Sequence, residues 1–229
     1  LDAALGSGSN LELVREIVRE APGELQVGGG VRDEALAAEL LDAGVDRVVV
    51  GTRAIDDPDW LAELAGRHPG RIVVAADIRD GQVLRRGWTE GSGFEVLELL
   101  ASIAALPLAG VLCTDVGREG RVEGIDRSGV LEVLRGTAHR VWISGGVTTM
   151  DELRFLQQNE AAGAVLGMAL YTDALDADAV ARAFGGAGRG ADEGAGANGG
   201  AGERTGERPG GTGETGGTNQ TTDPARTQR

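Results

Sequence analysis

Three glycine landmarks recur along this chain at one fixed offset. Sliding the sequence on itself by 116 residues aligns Gly8 with Gly124, Gly29-Gly30-Val31 with Gly145-Gly146-Val147, and Gly51 with Gly167. Each falls at the end of a β-rich run or in the loop after one, so the chain reads as two duplicated halves. The strand runs are residues 25–28, 47–51, 71–77, 110–115, 140–144 and 163–167. Several are nearly continuous Val, Ile, Leu and Ala, the mark of strands buried on both faces of a parallel sheet.

Amphipathic helical segments fill the intervals. Asn10 precedes Leu11, Val14 and Val18, and Asp57-Pro58 precedes Trp60, Leu61 and Leu64, placing an N-cap Asp before a Pro at the first helical position. Further helices are expected over 33–43, 93–106, 127–134, 149–158 and 176–184, with Gly44 as the stop of the first of these. A βα unit repeated this often gives a closed barrel or an open doubly wound sheet. Two halves of four units close naturally, so an α/β fold of the (βα)8 TIM-barrel type, with a half-barrel internal repeat, is expected.

Past Phe184 the chain has no Val, Ile, Leu, Met, Phe, Trp, Tyr or Cys. Such a stretch cannot bury enough apolar surface to offset its ordering entropy. Residues 185–229 are therefore expected to be a disordered Gly-rich tail, and residues 1–184 the barrel domain. The 22 basic residues, none of them Lys, face 36 acidic ones, for a formal charge of −14. An acidic surface repels nucleic acid and anionic lipid, so neither is expected as a partner. The single Cys113 excludes an internal disulfide framework, and no apolar run approaches a membrane span. A cytoplasmic monomer acting on a small molecule is the expectation.

In such barrels chemistry sits where strands end and helices begin. Gly28-Gly29-Gly30 lies there, with Val31-Arg32-Asp33 opening a helix, and Ser144-Gly145-Gly146 has the same place in the second half. Glycine lets the backbone approach an oxyanion, and free N–H groups at a helix start point at it. Gly51-Thr52 and Gly167-Met168 would complete each nest. The plain alternative is tight left-handed turns with no ligand. Two nests across one mouth imply a substrate with a phosphate at each end, held by backbone dipoles and a few Arg such as Arg32. Asp77 is the best acid, because it ends the apolar strand Ile72-Val73-Val74-Ala75-Ala76 at the catalytic face. Its plain alternative is a helix cap. Arg86 and Trp88, after that strand, fit a guanidinium and a ring closing over a planar anion, or an ordinary surface loop.

Taken in order, Leu1-Asp2-Ala3-Ala4, Gln26-Val27-Gly28-Gly29-Gly30-Val31-Arg32, Val48-Val49-Val50-Gly51-Thr52, Ala76-Asp77-Ile78, Arg86-Gly87-Trp88, Cys113-Thr114-Asp115, Ser144-Gly145-Gly146-Val147 and Val165-Leu166-Gly167 give the chain a family likeness. Over residues 1–184 it resembles the phosphoribosylformimino-aminoimidazole carboxamide ribotide isomerases of histidine biosynthesis. The resemblance implies a (βα)8 barrel with no metal or cofactor. It implies an Amadori rearrangement of an aminoaldose to an aminoketose on a substrate with two phosphoribosyl ends. It assigns Asp77 as catalytic proton donor and Thr114 as a hydrogen-bond partner of the reacting sugar. It also places a second catalytic carboxylate where Glu119 stands, although Arg118-Glu119-Gly120-Arg121 departs from the family's usual Asp-Gly-Thr. Asp115 alternates to the other face and is not expected to act chemically. His68, His139, Cys113, Trp60 and Trp142 read as structural, and two His with one Cys make no metal cluster.

Leu1-Asp2-Ala3 matches the end of the family's second strand. The first strand, with the Asp that the resemblance assigns as base, the first helix and most of the second strand are therefore expected to be missing from these 229 residues. The polypeptide taken literally is expected to expose an open sheet edge and to be inactive. Competing readings are the sister cyclase barrel of the same pathway and a bifunctional isomerase that also accepts phosphoribosylanthranilate. A third is a non-catalytic phosphate-binding protein. The Leu-Asp-Ala-Ala start and the Arg-Gly-Trp run favour the isomerase over the cyclase.

Overall fold

A single sheet organises the chain. The computed structural model describes residues 10–85 and 90–185. Its strands are β1 (Gln26–Gly28), β2 (Arg47–Val50), β3 (Ile72–Arg79), β4 (Gln82–Arg85), β5 (Glu90–Glu95), β6 (Gly110–Asp115), β7 (Val141–Ser144) and β8 (Gly163–Ala164). Six run parallel in the order β1-β2-β3-β6-β7-β8, while β4 and β5 form an antiparallel hairpin on β3. The helices are α1 (Leu11–Glu20), α2 (Glu34–Asp42), α3 (Thr52–Asp56), α4 (Pro58–Arg67), α5 (Val96–Ile103), α6 (Arg127–Arg135), α7 (Met150–Gln158), α8 (Met168–Tyr171) and α9 (Ala177–Phe184). The architecture is a curled parallel α/β sheet, a barrel-like fragment. The parallel path does not close among the described residues, where β1 pairs only with β2 and β8 only with β7.

Side chains alternate across each strand. Ile72, Val74 and Ala76 of β3, Val111 and Cys113 of β6, and Val141 and Ile143 of β7 pack with Leu61, Leu64, Leu100 and Leu153 of the helices in one apolar core. The residues between them, Ala75, Asp77, Leu112, Thr114, Trp142 and Ser144, take the opposite face. Trp142 lies on that face, against two glycines. A Cβ on Gly163 would lie 2.9 Å from its ring, and one on Gly110 would meet both the ring and the Arg140 carbonyl. Glycine at these two positions makes the room that the indole occupies, and the guanidinium of Arg47 stacks 5.6 Å from the ring centre.

The repeat read from the sequence is present in the backbone. Adding 116 to α2 (34–42) gives α7 (150–158). Gly29 and Gly30 have φ of 106° and 73°, and Gly145 and Gly146 have 90° and 81°. Gly51 (φ −115°, ψ −113°) has its counterpart in Gly167 (φ −112°, ψ −98°). The helix stops also correspond. Val45 N–H donates to the Leu40 carbonyl at 3.2 Å and Gly44 N–H to Leu41 at 3.0 Å, while Ala161 donates to Leu156 at 3.0 Å and Glu160 to Gln157 at 3.2 Å. Each is a Schellman stop, whose left-handed residue is Gly44 in one half and Glu160 (φ 61°) in the other.

Three expectations need correction. The helix over 93–106 is shorter: β5 runs through Glu95, and α5 begins at Val96 behind a capping box between Glu95 and Glu98. Gly93 holds φ +83°, so the helical period cannot extend back through it. The strand of Asp77 does not lead straight into a loop, because Asp80 and Gly81 (φ 51° and 78°) make the two-residue turn that sends β4 back along β3. The strand over 163–167 ends at Ala164, since Gly167 caps the short helix α8, the counterpart of α3 after Gly51. Leu1-Asp2-Ala3-Ala4, Gly8, residues 86–89 and the low-complexity segment beyond Gly185 lie outside the described residues.

The Schellman comparison predicts that Glu160→Gly, which relieves a left-handed side-chain residue, stabilises the fold by about 1 kcal/mol. Gly110→Ala drives a methyl into the Arg140 carbonyl and the Trp142 ring, and it destabilises by roughly 1–3 kcal/mol. Urea unfolding midpoints of the two variants against the parent check both signs.

Candidate functional site

The register of the parallel strands decides which side chains meet. Asp77 of β3 pairs with Thr114 of β6, and Thr114 pairs with Ser144 of β7. Paired residues of parallel strands project to the same side, so the three form one rung, with about 4.8 Å from strand to strand. The rung lies on the face opposite the helix-packed core, at the C-terminal ends of the strands. Thr114 and Ser144 are buried and Asp77 is half-buried. Asp115, one residue on, pairs with Ile78 and turns to the other face. There its Oδ1 accepts the Gly117 N–H at 3.0 Å and its Oδ2 pairs with Arg118 Nε at 3.3 Å. Asp115 therefore shapes a loop.

That loop, residues 116–126, brings Glu119 to the Ser144 end of the rung. Ser144 Oγ donates to Glu119 Oε2 at 3.4 Å. The loop is closed on itself by Arg118, whose Nη1 donates to the Gly124 carbonyl at 3.0 Å. Strand register joins Asp77, Thr114 and Ser144, and the Ser144 contact adds Glu119, although Asp77 and Ser144 are 67 positions apart in the chain.

The glycine turns stand at the strand ends where the sequence put them. Gly29 and Gly30 follow β1, with Arg32 exposed beyond them. Gly51 sits over Ala75, 3.8 Å from its methyl to a built Cβ, and Thr52 opens α3. Gly167 and Met168 take the equivalent place at β8 and α8. Gly145 and Gly146 have an additional reason to be glycine: a Cβ on Gly145 would strike the Asp115 carbonyl, and one on Gly146 the Gly124 carbonyl. The 116–126 loop lies directly on this turn. Arg86 and Trp88 lie outside the described residues.

Sequence reasoning missed Glu152, on the first turn of α7. Its carboxylate is buried and accepts the N–H groups of Ile125, Thr148 and Thr149, each at 2.9 Å. Burial raises this carboxyl, and the N–H groups of Thr148, Ile125 and Thr149 outweigh it, so the group sits below the ordinary carboxylate range. The signal was present as the capping-box spacing Thr149-x-x-Glu152. Asp126, the N-cap of α6, is also held low, first by the Ser128 hydroxyl and then by the Gly129 N–H.

Other groups are placed away from chemistry. The Cys113 thiol is pushed up to about 12 by burial and then by the charges of Asp115 and Asp77, so it is a neutral core side chain at physiological pH. His139 Nε2 meets the Ile103 carbonyl at 3.1 Å, far down the helix-packed side. A cleft of about 510 Å³ opens between β3, β6 and α6, lined by Ile78, Cys113, Ile143, Val130 and Arg118. Most of its walls belong to the helix-packed side, so it is not the space above Asp77. Among the described residues, no three His, Cys, Asp or Glu side chains gather as metal ligands, and no helix is long and apolar enough to cross a membrane.

Residues 1–176 match the family described as histidine biosynthesis protein. The chain is 49% identical over 185 residues to a 1-(5-phosphoribosyl)-5-((5-phosphoribosylamino)methylideneamino)imidazole-4-carboxamide isomerase of Gemmatimonas aurantiaca, covering 81% of this chain and 78% of that protein. An isomerase of the same description from Myxococcus xanthus is 51% identical over 187 residues, covering 81% and 79%. One from Deinococcus radiodurans is 42% identical over 177 residues, covering 76% and 74%.

Glu152 and Asp126 ionise more readily folded than unfolded. Their contribution to stability is fully present above the ordinary carboxylate range and is lost as pH falls through the depressed folded values. Urea midpoints measured from pH 7 down to about pH 3 should fall at the acid end. In Glu152→Gln that part of the acid-side fall attributable to Glu152 disappears, and an unchanged pH profile in the variant would count against the assignment.

Proposed function

The chain belongs to the histidine-biosynthesis protein family, and on that premise we propose that it carries the isomerase chemistry of its relatives. The reaction is the conversion of a bis-phosphorylated aminoaldose, joined to an imidazole carboxamide, into the aminoketose. Such an Amadori rearrangement needs an acid to protonate the ribose ring oxygen as the ring opens to a Schiff base. It then needs a base to take the C2 proton, and the resulting enol settles as the ketone.

The observation that carries the assignment is the rung Asp77–Thr114–Ser144 with Glu119 above it. Asp77 is the proton donor in this reading. It is half-buried at a strand end, on the face where a sugar would lie. Thr114 holds a sugar hydroxyl beside it. Glu119 supplies a second carboxylate, positioned through Ser144, with the reach of one methylene more than the family's usual Asp. The glycine turns at Gly29-Gly30 with Arg32, Gly51-Thr52, Gly145-Gly146 and Gly167-Met168 receive the two phosphates through backbone N–H groups. Arg86 and Trp88 would close over the imidazole. The substrate is the small-molecule partner, the chemistry uses side chains of residues 1–184, and a cytoplasmic location accompanies it.

One measurement tests the reading. Asp77→Asn should lower kcat by about 10²–10⁴-fold with KM little changed. A variant within about threefold of the parent removes Asp77 from proton transfer.

A further inference from the structure

The loop that carries Glu119 and the glycine turn of the second half are tied by one buried carboxylate. Glu152 Oε1 accepts the Ile125 N–H at 2.9 Å, from the end of the 116–126 loop. Its Oε2 accepts the N–H groups of Thr148 and Thr149 at 2.9 Å and the Thr148 hydroxyl at 3.2 Å, from the segment that follows Gly145-Gly146. Glu152 is 8% exposed and reaches both segments from the rigid first turn of α7. Between its two oxygens the backbones are in direct contact, because Gly146 has no space for a Cβ against the Gly124 carbonyl and a Cβ on Gly124 would lie 2.7 Å from Glu152 Oε1. Capping the helix explains only part of this arrangement, since a cap needs no partner 27 residues away. The position 116 residues earlier, Leu36, is apolar, so the device exists in one half alone.

We propose that Glu152 is a positioning residue of the isomerase site, a strap that fixes the Glu119 loop against the Gly145-Gly146 turn. The inference rests on the reading of that turn and loop as working parts of the site. Its physical basis is that a carboxylate in charge-assisted hydrogen bonds holds two backbone segments more firmly than neutral contacts would. Removing it leaves the part-buried Ile125 N–H and the buried Thr148 N–H unpaired, and the loop opens to pair them with water. Glu119, held at the rung by the long contact from Ser144, would then lose its place beside that residue.

The test is amide hydrogen exchange on the full 229-residue chain, wild type, Glu152→Ala and Glu152→Gln, with inorganic phosphate titrated into each. In Glu152→Ala, exchange at Ile125, Thr148 and Thr149 should accelerate about tenfold to a hundredfold, while Val111 and Ala162, bonded within the sheet, keep their wild-type rates. Gln has one carbonyl oxygen where Glu has two acceptors, so Glu152→Gln should protect one end of the strap and release the other. Exchange at Ile125 and at Thr148–Thr149 then diverges, which no general loss of stability would produce. Phosphate should bind the Ala variant several-fold more weakly than wild type. Uniform acceleration of all five amides, unchanged exchange at Ile125 in Glu152→Ala, or phosphate binding of equal measurable strength in all three proteins would overturn the proposal. Phosphate that binds none of them, with the divergent exchange pattern intact, supports the strap and counts instead against the phosphate-nest reading.

Discussion

Parallel register is the constraint on which the rest of this molecule depends. Each of the central strands shows one set of side chains to the helices and the other set to the opposite face. Only the pairing of Asp77 with Thr114 and of Thr114 with Ser144 puts those three on the same side. A slip of one residue between β3 and β6 would bring Asp77 beside Asp115 and replace Thr114 by Cys113 or Asp115 on its rung. The apolar face enforces the register, because the same slip would turn Ile72, Val74 and Ala76 away from Leu61, Leu64 and Leu100. Burial of the core and alignment of the polar rung are therefore consequences of one choice.

Close backbone approach is the second constraint, and it acts through missing side chains. Gly110 and Gly163 give up their Cβ positions to Trp142, and Gly145 and Gly146 give up theirs to the carbonyls of Asp115 and Gly124. The second pair also holds the left-handed φ values that a turn there requires. These glycines therefore have a packing role that stands whether or not an anion ever occupies the turn. The anion role assigned to them draws on the N–H groups that the same turn exposes, and the two uses are compatible because one involves Cα and the other N–H.

Much of the fold was legible in the chain. The six parallel strands, most helix starts and the repeat at 116 residues followed from apolar runs, caps and glycine positions, all local signals. The hairpin of β4 and β5 was not legible from apolar runs, although Asp80-Gly81 is a strong turn signal. Phe94, Val96 and Leu97 imitate a helical period, which masks the strand that precedes the helix. The short helices α3 and α8 escaped because four or five residues carry too few side chains to show a period. Of the site, Asp77, Thr114 and Ser144 could be placed at strand ends, and Glu119 came from a family likeness. Glu152 could not be recognised as more than a helix cap, because its partner Ile125 is remote in sequence.

By itself the sequence determined the class of fold, the duplicated halves, the strand ends at which polar side chains gather, and the family. Those follow from periodicity and composition, which act over a few residues at a time. Only the tertiary structure decided that Asp77, Thr114 and Ser144 share a rung, that Asp115 does not, and that one buried glutamate holds the Glu119 loop to the glycine turn. Such facts depend on register and on contacts between segments far apart in the chain, and they come into existence only when the sheet has formed.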